Sequence, residues 1–171
     1  MISLGRGVQK PVRGTLAALL LLLALAGCTR EQSWEVGASA PEISVLDLNE
    51  RTVKLSDFRG QVVVLRFWST GCKACVAAMP ALDRFSADYR EKGMAVVAVD
   101  LGDAKEGVEA FARELNLSYP LLLDPLRIAA GKYGVRAVPT TFFIDRDGIG
   151  RKVVIGEVTQ NMFDKTVGGL L

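Results

Sequence analysis

The sequence predicts an α/β domain built on a mixed sheet flanked by helices. The composition fits: of 171 residues half are apolar and 23% charged, with 17 Gly and 6 Pro, the balance of an ordinary folded α/β chain. The pattern fits too, because two nearly continuous apolar runs, Val62–Phe67 and Ala95–Val99, bracket a stretch with helical periodicity, and such a crossover requires a parallel strand pair. Two further pairs of short strands around polar turns make the sheet mixed rather than all-parallel.

The elements follow in chain order. Arg6, Lys10 and Arg13 open the chain without an acid among the first 14 residues, and the apolar run Thr15–Ala26 comes next. Twelve residues fall short of the roughly 20 that cross a bilayer as a helix, and fit the apolar region of a signal peptide. The run ends in Leu25-Ala26-Gly27-Cys28, which resembles the lipobox of bacterial lipoproteins. That resemblance implies removal of residues 1–27 and lipid on Cys28. Residues 28–39 are polar and aperiodic, so they are expected to form a tether reaching at most ~35–40 Å, with the folded domain spanning residues 40–171.

Ile43–Leu48 and Thr52–Leu55 alternate around Asn49-Glu50-Arg51, predicting a hairpin. Cys75, Met79, Leu82, Phe85 and Tyr89 fall on one face of a helix over 72–92, with Pro80 expected to kink it. A second amphipathic helix covers Glu106–Leu115. Leu121–Leu123 is a short apolar run, and a helix is expected from Pro125, as its first residue, to Tyr133, capped by Gly134. Thr140–Asp145 and Gly150–Ile155 are strands around Arg146-Asp147-Gly148, where Asp-Gly is expected to supply positive φ. Thr159–Leu171 closes the chain as a short helix.

The chain contains no histidine. No Ser-His-Asp triad, His-ligated zinc or C-x-x-C-H haem attachment can be built from it. Apart from the basic leader the charges nearly balance, which argues against a nucleic-acid partner.

The chemistry concentrates in Trp68-Ser69-Thr70-Gly71-Cys72-Lys73-Ala74-Cys75, a C-x-x-C directly after a buried strand and at the first turn of a helix. A helix N-terminus favours a thiolate, because its unsatisfied N–H groups carry about half a positive charge. Residues i and i+3 share a face, so the two sulfurs lie within bonding reach. Cys72, nearer solvent, is the expected attacking sulfur and Cys75 the resolving one, with Lys73 adding positive charge. An inert structural disulfide is a second reading of the same spacing. Half a zinc site is a third, although with Cys28 lipidated the ligands needed to complete it are lacking. A second feature is Val138-Pro139-Thr140: the proline either simply stops a loop before a strand, or sits cis opposite the cysteines and leaves the Val138 backbone to pair with an extended peptide.

Ala40-Pro41-Glu42, Leu55–Gly60, Phe67-Trp68 before the C-x-x-C, Tyr133-Gly134-Val135 and Pro139–Asp145 with Gly148 together resemble the thioredoxin-like TlpA/ResA family over about residues 40–160. The resemblance implies a thioredoxin fold with an added N-terminal β-hairpin and an insertion before the cis-proline. It implies extracytoplasmic thiol-disulfide exchange with cell-envelope proteins, sometimes in cytochrome c maturation, with electrons from a membrane thiol transporter and no cofactor beyond the Cys72–Cys75 disulfide. By position, Cys72 and Cys75 are the catalytic pair, Pro139 the cis-proline, and Trp68, Val138 and Pro139 the substrate contacts.

Three departures stand out. Ala78 occupies the position where reductants of this kind carry Glu. Arg66 stands where the family holds a buried Asp or Asn, and needs a partner such as Asp100 or Glu157 if it is buried. Ala74 replaces a common proline, and Gly71 a common tryptophan. Arg66 and Lys73, with no carboxylate at Ala78, are expected to make the site electropositive and its disulfide more oxidising; the plainer reading of Arg66 is a salt-bridged strand end. Two other functions fit parts of the sequence. A thiol peroxidase would share the Asp57-Phe58-Arg59-Gly60 lead-in, but its P-x-x-x-T-x-x-C pattern fails at Leu65 and Ser69. A Cu(I)- or peptide-binding module would use the thiolates without turnover, yet lacks the histidine such copper carriers typically add.

Overall fold

The computed structural model describes residues 34–171. Residues 1–27, expected to be a signal peptide, Cys28, and the part of the expected tether up to residue 33 lie outside the described residues. Seven strands form one sheet in the order β2-β1-β5-β4-β3-β6-β7: β1 (Ser44–Asp47), β2 (Thr52–Lys54), β3 (Val62–Trp68), β4 (Met94–Asp100), β5 (Leu121–Leu123), β6 (Thr140–Ile144) and β7 (Gly150–Ile155). The pairs β3–β4 and β4–β5 are parallel, whereas β1–β2, β1–β5, β3–β6 and β6–β7 are antiparallel. A mixed thioredoxin-like sheet is the result. Its extensions are an N-terminal hairpin and the segment between β4 and Pro139, which adds a helix, β5 and a second short helix.

All seven residues of β3 are buried, because helices or loops cover the sheet on both faces. Val62, Val64 and Trp68 face α1 (Lys73–Arg90), α2 (Lys105–Leu115) and α4 (Gln160–Gly168), packing with Cys75, Met79, Leu82, Phe85, Val108 and Phe163. Val63, Leu65 and Phe67 face α3 (Ile128–Lys132) and meet Ala129, Ala130, Tyr133 and Phe142. Each such side chain contributes about 1.5–3 kcal/mol on burial, so β3 is the anchor from which the site projects. Phe85 of α1 and Phe163 of α4 stack with centroids 4.1 Å apart, and α1 runs through Pro80 without interruption.

Three expectations need correction. The helix expected from Pro125 starts at Ile128, because Asp124 accepts the N–H groups of Ile128 and Ala130 at 2.9 Å each, and Arg127 at φ 54° cannot be helical. In the β6–β7 connection only Gly148 (φ 80°) takes the left-handed conformation, not Asp147, since the Asp145 carboxylate organises a longer loop by accepting from Asp147 and Ile149. The stretch expected to be tether is folded from Trp34 onward. Gly37 donates to Gly150, Gly150 to Ala38 and Ala40 to Gly148, while the Trp34 ring packs on Phe142 and Tyr133. Gly150 has no side chain to keep that ring away, and an added Cβ would lie 1.5 Å from it.

Candidate active site

The site begins where β3 ends. Leu101 N–H donates to Trp68 O, the last bond before the two strands part, and residues 69–71 turn the chain into α1. Cys72 is the N-cap of that helix, with extended backbone angles (φ −88°, ψ 96°), and its Sγ accepts the Cys75 N–H at 3.1 Å. A sulfur thus fills the role that Ser or Asp plays at other helix starts, and a thiolate there would turn the bond into a charge-assisted one. Cys72 and Cys75 form a disulfide with Cα atoms 5.2 Å apart.

The two sulfurs live in different surroundings. Cys72 is half-buried beside exposed Gly71 and Lys73, whereas Cys75 is sealed in the core. An incoming group can reach only the first. Across from it, Cys72 Sγ lies 3.7 Å from the carbonyl oxygen of Val138, and the Val138–Pro139 peptide is cis. Val138 is half-buried and precedes the ladder that begins at Thr140, so its backbone edge stands next to the exposed sulfur. Gly156 N–H donates to Pro139 O at 2.7 Å, tying this loop to the end of β7.

Of the expected substrate contacts, Val138 stands beside Cys72 and Pro139, buried, follows it through the cis bond, but Trp68 does not reach solvent. Its ring is fully buried and packs edge-on against Phe111 at 6.2 Å, because its place in β3 turns it toward α2. It supports the site from beneath rather than meeting substrate. Lys73 is exposed, where solvent screens its charge. Arg66 is buried, 3% exposed, but neither expected acid pairs with it; Nη1 donates to Thr141 Oγ1 at 3.1 Å instead. Burial works against its charge, while Tyr119 and Glu157 favour it.

Two acids hold the loop: Asp103, which the sequence reading missed, and Asp100, expected there only as a partner for Arg66. Asp103 Oδ2 accepts the Thr70 N–H at 2.6 Å, and Asp103 N–H donates to Asp100 Oδ1 at 2.7 Å. Asp100 is completely enclosed; burial first, then its hydrogen bond to the Asp103 carboxyl, pushes it up to about 7. Asp103 is held below its ordinary value: burial would raise it, but the Thr70 N–H and the Asp100 carboxyl outweigh that. The signal available in sequence was only an Asp closing an apolar strand followed by Gly-Asp.

Known proteins resemble this chain along most of its length. Residues 36–153 match the AhpC/TSA family. The thiol-disulfide oxidoreductase ResA of Geobacillus thermodenitrificans is 36% identical over 158 residues, 89% of this chain and 91% of the relative. A protein of Chlorobium tepidum assigned as a thiol:disulfide interchange protein DsbE superposes with TM-score 0.75 at 29% identity, covering 81% of this chain and 99% of the other. The pneumococcal exposed lipoprotein thioredoxin of Streptococcus pneumoniae superposes with TM-score 0.68 at 26% identity, covering 76% and 100%.

Proposed function

The chain belongs to the AhpC/TSA family and is a thiol-disulfide oxidoreductase, and from that premise we propose that it is a lipid-tethered, extracytoplasmic enzyme exchanging disulfides with cell-envelope proteins through Cys72 and Cys75. The observation that carries this reading is the unequal exposure of the two sulfurs beside the Val138 backbone. In the reducing direction, the Cys72 thiolate attacks a substrate disulfide, one sulfur of which leaves as a thiolate. A mixed disulfide links Cys72 to the other. Cys75 then attacks Cys72 Sγ, releasing the second substrate thiolate and restoring the internal disulfide. The reverse path oxidises a substrate dithiol.

The helix N-terminus supports the Cys72 thiolate, and the Val138 edge suits an extended peptide laid across the sulfur. No metal or organic cofactor enters these steps. Residues 1–27 as a lipoprotein leader and Cys28 as the lipidated residue are supported by the Leu25–Cys28 sequence and by the resemblance to an exposed lipoprotein thioredoxin. Electron supply by a membrane thiol transporter and a place in cytochrome c maturation rest on the family resemblance.

Trapping tests the reading. Cys75→Ser in cells should leave envelope proteins covalently held on Cys72 and released by reductant, while Cys72→Ser should capture none and lose exchange activity by at least a hundredfold. Capture that persists in the Cys72→Ser protein would overturn the assignment of the attacking sulfur.

A further inference from the structure

The same face of β3 that supports the disulfide carries a charge with no ion-pair partner among the described residues. Arg66 sits between sheet and helix with Nη1 on Thr141, and Nη2 has no partner among the described residues. Tyr119 Oη, also buried, is likewise without a partner there and lies within electrostatic reach of the guanidinium. A cavity of about 20 Å³ opens beside the guanidinium, lined by Arg66, Ala78, Thr141 and Glu157 among others, with room for about one water molecule. Glu157, an exposed residue at this cavity, makes no ion pair with Arg66. Of α1, which bears both sulfurs, Ala78, Ala81, Leu82 and Phe85 wall the cavity, so the guanidinium rests under the second to fourth turns of that helix.

A buried cation without an anion is costly, and its cost falls in any state of the protein that places an anion near it. With the cysteines joined, neither sulfur is charged. Reduction creates a charge, the thiolate on Cys72. We infer that Arg66 acts as an internal counter-charge for the reduced site, making the Cys72–Cys75 disulfide a stronger oxidant than it would be over a neutral residue. Arg66 touches neither substrate nor sulfur and acts through the field along α1. The inference rests on the exchange chemistry proposed above and adds to it which redox state the protein body favours. Lys73 carries the same sign, but its exposure leaves salt and water to damp it.

Equilibration with glutathione reads the effect directly. Two glutathione thiols are oxidised to one glutathione disulfide, and the Cys72–Cys75 bond becomes a thiol at Cys75 and a thiolate at Cys72, with one proton released. Arg66→Met should lower the equilibrium constant of this reaction at least tenfold, about 30 mV for a two-electron couple, and diminish the ultraviolet thiolate absorbance of reduced Cys72 at neutral pH. Arg66→Lys should stay within threefold of the unaltered protein. An unchanged or larger constant in the folded Arg66→Met protein would overturn the inference, since a structural role alone moves stability and not this equilibrium. Should Arg66→Met not fold, Glu157→Gln decides: removing the nearby exposed anion should raise the constant at least twofold, and no rise overturns the inference. If the unaltered disulfide does not exchange with glutathione at all, the exchange reading itself fails, a result distinct from either variant's.

Discussion

The buried carboxyl of Asp100 carries a pH dependence of its own. Folded, it keeps its proton up to about pH 7, whereas in the unfolded chain it releases it near the ordinary 3.8. Between those values the unfolded state binds fewer protons, so this group lowers stability as pH rises from about 4 to about 7 and adds no further change above. The full effect is roughly 2–4 kcal/mol. Asp100→Asn, which mimics the protonated acid, should erase that decline: the urea midpoints of the two proteins should diverge toward neutral pH in favour of Asn. Equal pH slopes would show that Asp100 does not titrate there. The contrast with the cysteines shows what a sequence can reveal at this scale. Cys72 and Cys75 were legible because a pair at i and i+3 after a buried strand is a local pattern. The clamp of Asp103 on Thr70 spans 33 residues, and no spacing rule announces such a contact. Trp68 was misread for a related reason: lying next to the reactive loop does not tell whether a strand residue faces solvent or a neighbouring helix.

The elements themselves were largely legible, since the period of apolar residues sets strand against helix with little help from afar. The failures fell at boundaries, where side chains compete with the backbone. At α3 the preference for proline at a helix start lost to Asp124, whose two oxygens satisfy the N–H groups of Ile128 and Ala130 and move the start three residues along. Asp124 is itself buried, so its removal leaves buried donors unsatisfied. Asp124→Ala should therefore cost about 1–3 kcal/mol in denaturant unfolding. Because α3 packs Ala129 and Ala130 beneath β3, the loss should show first as faster amide exchange in residues 128–133, ahead of any change in α1. Uniform loss of protection across the domain would argue that α3 has no local stability of its own.

At the scale of the whole molecule, the N-terminal segment is part of the fold rather than an appendage. Trp34 lies on the face opposite α1 with Tyr133 and Phe142, and its seat depends on the bare backbone of Gly150. Gly150→Ala forces that ring out, with an expected loss of about 1–3 kcal/mol and a change in tryptophan emission in the folded state. Unchanged emission and unchanged stability would place the ring elsewhere. Polar composition hid this from the sequence reading, because a single aromatic among Glu31–Ala38 gives no periodicity. On the proposed lipid anchor at Cys28, only five residues, 29–33, separate the lipidated cysteine from the docked tryptophan, a chain length of at most about 20 Å. The enzyme would then patrol only a shallow layer above the lipid headgroups, and its clients would be those whose cysteines come down to meet it.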